Sequence, residues 1–234
     1  MKIKTGIVGL DRILGGGFNS GSSILVIGDP RAGKSILAKQ MCLATKKEDK
    51  SIYVATTDLG ENILQDLAQI KKGVKNIMII DAYSTTYGKH TGKINYIGKA
   101  NLSDINVAVA EELRKLKKGT MRVVLDSLSN LILHNTLSEI SDFLEEFVGK
   151  IRANGHVVFL LLENGMHEDK VVKLVESLTD QTILLKEEGT GKYLMLEGFD
   201  LKNPDLNQIP YELKEHKIKI KWKQKKLNKS KEKL

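Results

Sequence analysis

Residues 28–35 read Gly28-Asp29-Pro30-Arg31-Ala32-Gly33-Lys34-Ser35, a full match to the spacing GxxxxGK[ST]. The apolar run Ile24-Leu25-Val26-Ile27 precedes them, and a helix-like stretch from Lys34 to Ala44 follows. Strand, glycine-rich loop and helix in that order make a phosphate cradle. Gly28 and Gly33 let the backbone curl until its N–H groups point at phosphate oxygens, and the new helix adds its positive end. All eight residues are therefore candidate nucleotide contacts. Lys34 is placed to reach the β- and γ-phosphates of a nucleoside triphosphate, and Ser35 to ligate Mg²⁺. The bland reading, a glycine turn between ordinary elements, lacks a reason for strand before and helix after.

The chain has 234 residues, of which 41% are hydrophobic, enough to bury the core of one large domain. Met1-Lys2-Ile3-Lys4 leads straight into Thr5-Gly6, unlike a secretion signal, and no apolar run approaches the length of a membrane span. These features predict a cytoplasmic chain without a membrane partner. Cys42 is the single cysteine, which excludes internal disulfides and cysteine-cluster metal sites. Its place in the helix after the loop, beside Met41 and Leu43, reads as a packed thiol.

The net charge of +8 invites a nucleic-acid reading, yet ten lysines against Glu215 and Glu232 lie between Lys214 and Leu234. Residues 1–213 are thus close to neutral, and the basicity belongs to the tail. Lys217 to Lys223 alternates like an edge strand with Ile218, Ile220 and Trp222 on one face, whereas Lys225 to Leu234 offers little to bury. The expected organisation is a nucleotide-binding domain over 1–222 and a disordered lysine-rich tail over 223–234. Such a tail suits nucleic acid or an acidic partner; lysines protecting a sheet edge, followed by a solvated end, explain it at least as well.

Between loop and tail, apolar runs at Ile52–Ala55, Ile77–Ile80, Val123–Leu125 and Val157–Leu162 alternate with amphipathic stretches at Asn62–Lys71, Leu102–Lys117, Leu137–Ala153 and Asp169–Leu178. This is a βα repeat, and it predicts an α/β fold with a mostly parallel central sheet flanked by helices. After Asp180 the pattern shortens to Thr182–Lys186, a Gly189-Thr190-Gly191 turn, Tyr193–Glu197 and the Lys217 strand, which predicts antiparallel strands at the C-terminal edge. The stretch from Tyr83 to Lys99 reads as a long polar loop, either a mobile contact surface or a plain insertion.

Ligands of open α/β sheets gather at the carboxyl ends of strands. Val123-Val124-Leu125-Asp126 puts a carboxylate at such an exit, about 90 residues beyond the glycine-rich loop, which suits a Walker B aspartate holding Mg²⁺ with Ser35. Asp81, after Ile77–Ile80, competes for the role; Asp126 is preferred because Asp126-Ser127 runs into a helix-like segment. Five histidines show no ligand spacing, so no metal beyond Mg²⁺ is expected.

Thr5-Gly6-Ile7, Gly9-Leu10-Asp11, Ile13-Leu14-Gly15-Gly16-Gly17 and Gly21 ahead of the loop strand resemble the opening signature of KaiC-domain proteins in the RecA superfamily. The likeness extends to Leu125–Ser129 and to Leu178-Thr179-Asp180, and is particularly similar to single-domain archaeal KaiC-like proteins. It implies a RecA-like P-loop NTPase fold that uses ATP and Mg²⁺ and often assembles into rings or filaments with ATP between subunits.

Departures from that pattern bear on hydrolysis. KaiC-like members usually end the second strand in two glutamates, one of which activates water; here Thr57 and Asp58 stand in their place, leaving Asp58 as the candidate catalytic acid beside Lys34. Asp58 equally suits the entrance of the following helix. A late Lys-x-Arg pair, which the family directs at a neighbouring γ-phosphate, is replaced by Gly198 and Asp200, with Lys192 or Lys202 as substitutes. Glu163 and Asn164 stand where RecA-like proteins often place a polar phosphate sensor, or simply where a strand meets a loop.

The resulting expectation is an ATP-binding protein whose nucleotide state controls assembly or binding of an unknown protein partner, with slow or absent turnover. The alternatives are an ATPase that remodels a partner and a recombination-related DNA binder. A GTP-specific protein fits less well, because no NKxD sequence is present.

Overall fold

The computed structural model describes residues 1–43, 48–99, 101–201 and 208–221, with Tyr87 described by its backbone only. Trp222, Lys202 and the predicted tail 223–234 lie outside the described residues. The chain opens with β1 (Lys2–Ile3), α1 (Val8–Ile13) and β2 (Phe18–Asn19), and then enters the loop strand β3 (Ser23–Gly28) and α2 (Lys34–Cys42). There follow β4 (Lys50–Ala55), α3 (Gly60–Ile70), β5 (Ile77–Asp81), β6 (Tyr87–Thr91), β7 (Ile94–Ile97), α4 (Leu102–Arg114), β8 (Met121–Asp126), α5 (Leu128–His134) and α6 (Leu137–Ala153). The last part holds β9 (Val157–Glu163), α7 (Asp169–Ser177), β10 (Gln181–Glu188), β11 (Gly191–Glu197), β12 (Ile209–Lys214) and β13 (Lys217–Ile220).

An 11-stranded sheet carries the fold, in the order β13-β12-β11-β10-β3-β9-β8-β4-β5-β7-β6. From β10 to β7 every pairing is parallel, and the antiparallel pairings are confined to the two edges. The central strands read as continuous apolar runs because helices cover both faces. In β9, Val157, Phe159 and Leu161 join one core while Val158, Leu160 and Leu162 join the other; β3 divides in the same way, with Ile24 and Val26 opposite Leu25 and Ile27. Each such side chain contributes about 1.5–3 kcal/mol by leaving water, so packing on both faces holds the central strands, and with them their carboxyl ends, in register.

The helices start and stop where their local chemistry dictates. At α6, Thr136 Oγ1 accepts the Glu139 N–H while the Glu139 carboxylate accepts the Thr136 N–H at 2.7 Å, a reciprocal capping box. Asn154 and Gly155 end that helix, and β9 begins two residues later.

The Tyr83–Lys99 segment corrects the expectation of a loop. It contains β6 and β7, which extend the sheet beyond β5. Polar residues on the exposed side masked the alternation, yet Ile94 and Tyr96 point into the core and Asn95 is also buried. The short strand β12 likewise escaped the pattern reading, and β13 is the edge strand the lysine alternation predicts, with Ile218 buried.

Candidate functional site

Four neighbouring parallel strands, β3, β9, β8 and β4, deliver Gly28, Glu163, Asp126 and Ala55 to one end of the sheet. Gly28 stands opposite Glu163 in the β3/β9 register, and Ala55 opposite Asp126 in β4/β8. The fold thus brings the glycine-rich loop and the Asp126 carboxylate together with β9 between their strands.

The loop leaves β3 at Gly28, where a side-chain carbon would lie 3.0 Å from both the Cβ and the carbonyl oxygen of Leu185. It enters α2 through Gly33, whose φ of 99° lies in the left-handed region. The backbone therefore wraps tightly around Lys34, which is 5% exposed. Its ammonium donates to Gly28 O at 2.8 Å and Asp29 O at 3.0 Å, and pairs with Glu163 Oε2 at 2.8 Å.

Ser35, in the first turn of α2, stands close enough to the Asp126 side chain for its hydroxyl to favour the ionised carboxylate. That carboxylate is 7% exposed and also accepts the Tyr53 hydroxyl. Burial pushes its carboxyl above the usual range, while the Tyr53 and Ser35 hydrogen bonds and the charges of Lys39 and Lys34 oppose the shift. Ser35 and Asp126 thus form a pair of hard oxygen donors of the kind Mg²⁺ takes. The peptide bond between Asp126 and Ser127 is cis. Thr56 Oγ1 accepts the Ser127 N–H and donates to the Ser127 carbonyl, both at 2.8 Å, which fastens the end of β4 to the end of β8.

The remaining predicted residues divide clearly. Asp58 Oδ1 accepts the Leu59 N–H at 2.8 Å and the Asn62 side-chain amide at 2.7 Å, so it organises the entrance of α3. Asp81, the rival of Asp126, is fully buried and spends its oxygens on the N–H groups of Gly60, Tyr83 and Ser84. Lys192 is paired with Glu187 in the β10–β11 hairpin. Asn164 hydrogen-bonds the Asp29 carboxylate at 2.7 Å, and its N–H reaches Gly28 O at 3.0 Å. Arg31, exposed at the loop crest, has a φ of 68°.

Several supports were not read from the sequence. Tyr53 looks like one more apolar strand residue. Tyr211 of β12 donates its hydroxyl to Ala32 O at 2.6 Å, and the Gln40 side chain grips both the N–H and the carbonyl of Ile218 in β13. The C-terminal hairpin therefore rests on the glycine-rich loop and its helix, a contact between residues almost 180 positions apart that no local pattern announces.

A family model described as "ATPase: KaiC" matches residues 3–225. Among curated relatives, a UPF0273 protein of Sulfurisphaera tokodaii is 31% identical over 144 residues, covering 57% of this chain and 50% of the relative. A UPF0273 protein of Pyrococcus horikoshii is 32% identical over 142 residues, covering 57% of each. The DNA repair protein RadA of Rickettsia bellii is 27% identical over 210 residues, 85% of this chain and 42% of RadA. The chain spans about half the length of the curated relatives it matches. A crystal structure of a KaiC-like protein from Pyrococcus horikoshii OT3 superposes with a TM-score of 0.73 at 17% identity, over 94% of this chain and 98% of that one, so the two share a fold.

Proposed function

This chain belongs to the KaiC ATPase family, and on that premise we propose that it binds ATP with Mg²⁺ and uses the bound nucleotide as a switch, with slow or absent hydrolysis. The observation that carries the proposal is the pairing of a buried Lys34 at the mouth of the glycine-rich loop with the Ser35–Asp126 oxygen pair one strand away. Residues 28–35 cradle the phosphates through backbone N–H groups, Lys34 neutralises the terminal charge, and Ser35 and Asp126 hold Mg²⁺ directly or through water. Bound Mg²⁺ supplies charge neutralisation across the phosphate oxygens.

Slow turnover follows from how the candidate acids are engaged. Water activation requires a carboxylate free to take a proton. Asp58 is committed to the start of α3, and Asp126 is buried and accepts the Tyr53 hydroxyl. The nucleotide state then acts through assembly into a ring or filament with ATP at subunit boundaries, or through an unidentified protein partner. Domain limits of 1–222, followed by a lysine-rich extension over 223–234, accompany this reading. No helix among the described residues is long and apolar enough to cross a membrane.

A DNA-binding role is the second reading, favoured by the RadA similarity and by the concentration of lysine after Lys214. It predicts salt-sensitive DNA affinity that falls when residues 223–234 are removed.

The test is titration calorimetry with Mg-ATP, followed by multiple-turnover hydrolysis at concentrations that favour assembly, with Lys34→Ala as background. Saturable binding abolished by Lys34→Ala, with turnover near that background, is the expected result. Turnover at an ordinary ATPase rate, about 1 s⁻¹ or more, overturns the switch in favour of a motor; absence of binding overturns both.

A further inference from the structure

A lysine ammonium has three N–H donors, and in Lys34 each has a partner: Gly28 O, Asp29 O and Glu163 Oε2. A terminal phosphate that engages this lysine must therefore replace one of them. Two are carbonyls of the loop backbone, held where strand packing puts them. The third sits on a flexible side chain that is 32% exposed, so Glu163 is the partner that can leave. It must also leave for an electrostatic reason, since its carboxylate occupies the position where phosphate charge arrives, and two anions that close repel strongly away from bulk water.

The surroundings of Glu163 provide a second position for it. His167 lies four residues on, past the turn that ends β9. Its Nε2 is buried without a hydrogen-bond partner among the described residues, an arrangement that costs free energy unless another conformation satisfies it. Burial pushes the imidazole below its ordinary value and the nearby Glu163 charge pulls it back, so the two side chains already interact electrostatically. The backbone between them is anchored on both sides of the site: the Glu163 N–H donates to Ser129 Oγ at 2.9 Å and Asn164 bonds the loop at Asp29. Motion is then confined to the Glu163 side chain and the short segment leading to His167.

Resting on the nucleotide-binding reading above, we propose that Glu163 is a two-position latch, paired with Lys34 until a phosphate takes the lysine and then transferred to His167. The latch makes phosphate affinity depend on a competition inside the chain, and it ties occupancy of the glycine-rich loop to the conformation of the β9–α7 turn. A partner that recognises that turn can thereby distinguish the loaded from the unloaded chain.

The experiment is calorimetric titration of the full chain with Mg-ATP and, separately, with inorganic pyrophosphate. It compares the native protein, Glu163→Gln, His167→Ala and the double variant, all checked for folding by circular dichroism. Glu163→Gln removes the competing charge and is expected to tighten both ligands about tenfold. His167→Ala is expected to weaken them about threefold in the native chain and to have no effect beside Glu163→Gln, where nothing needs a second position. Native binding that is unchanged or weakened by Glu163→Gln overturns the latch alone, and an equal effect of His167→Ala in both backgrounds overturns the transfer to His167. Failure of the native chain and Glu163→Gln alike to bind overturns the nucleotide reading and the latch with it.

Discussion

The Tyr53 phenol donates its hydrogen bond to Oδ2 of Asp126, joining the interior of β4 to the carboxyl end of β8. The register explains the contact: Tyr53 pairs with Val124, and Asp126 lies two residues further along the same face of the neighbouring strand. The phenol is fully buried, so no water replaces it if it is lost.

Replacing Tyr53 by Phe keeps the ring and removes the donor. One oxygen of the Asp126 carboxylate is then left short of a partner, at a cost of about 1–3 kcal/mol, and its orientation toward Ser35 loosens. Urea denaturation should show that loss of stability. The Mg²⁺ concentration needed for half-maximal ATP binding should rise several-fold, whereas a purely structural Tyr53 leaves that concentration unchanged.

Gly33→Ala places two separate burdens on the loop. A φ of 99° is unfavourable for any residue with a Cβ, and the new carbon would lie 2.8 Å from Leu213 Cδ2 in β12. The variant should lose about 1–2 kcal/mol from the backbone alone and bind ATP at least tenfold more weakly. Adding Leu213→Ala relieves the clash and not the dihedral. The double variant should therefore recover only part of the affinity, and full recovery would identify side-chain contact as the whole effect.

These contacts show what a sequence can and cannot disclose. The α/β class, the strand–loop–helix unit around Gly28–Ser35 and the position of Asp126 at a strand exit were legible because each rests on a short run with its own chemistry: apolar strand, glycine turn, terminal carboxylate. The limits of α6 were legible to the residue from the apolar spacing of Leu137–Ala153 and the Asn154-Gly155 stop, and the Thr136–Glu139 capping box supplies the physical reason for its start. What stayed hidden depends on pairs distant in the chain. Tyr53 serves Asp126 73 positions away, and Gln40 holds Ile218 across 178. β6 and β7 were hidden for a different reason: an edge hairpin has one solvated side, and glycine and lysine there outweigh the inward Ile94 and Tyr96. Glu163 was legible as a polar strand end, while its bond to Lys34 needed the β3/β9 register.

Asp58→Asn separates the two roles open to that residue. Asparagine retains an oxygen able to accept from Leu59 N–H and the Asn62 amide, so the entrance of α3 survives and stability should stay within about 0.5 kcal/mol of native. An amide cannot take a proton from water near neutral pH. Mg-ATP turnover, at whatever level the native protein shows above Lys34→Ala, should be unchanged; a fall of a hundredfold would restore Asp58 as the catalytic acid.

At the opposite end of the sheet, Asp49 accepts the Thr120 N–H at 3.1 Å and hydroxyl at 2.9 Å and faces the Arg122 guanidinium at 3.4 Å. Burial by itself raises the Asp49 carboxyl, but the Thr120 hydrogen bonds and the Arg122 charge outweigh it and hold the group below its ordinary value. The folded chain thus binds this proton less tightly than the unfolded chain does. The ionised form stabilises the fold above the unfolded carboxylate value of about 4, and that contribution is lost as pH falls through the depressed native value. Asp49→Asn leaves Arg122, 2% exposed, without its counter-charge and should cost about 3–5 kcal/mol at neutral pH. Urea midpoints measured from pH 3 to 7 should therefore fall less steeply with acid in the variant than in the native protein. Parallel curves would assign the acid limb to other carboxylates. Because Asp49 and Arg122 stand away from the strand ends that carry Gly28 and Asp126, ATP affinity of the folded variant should remain native, which separates a loss of fold from a loss of site.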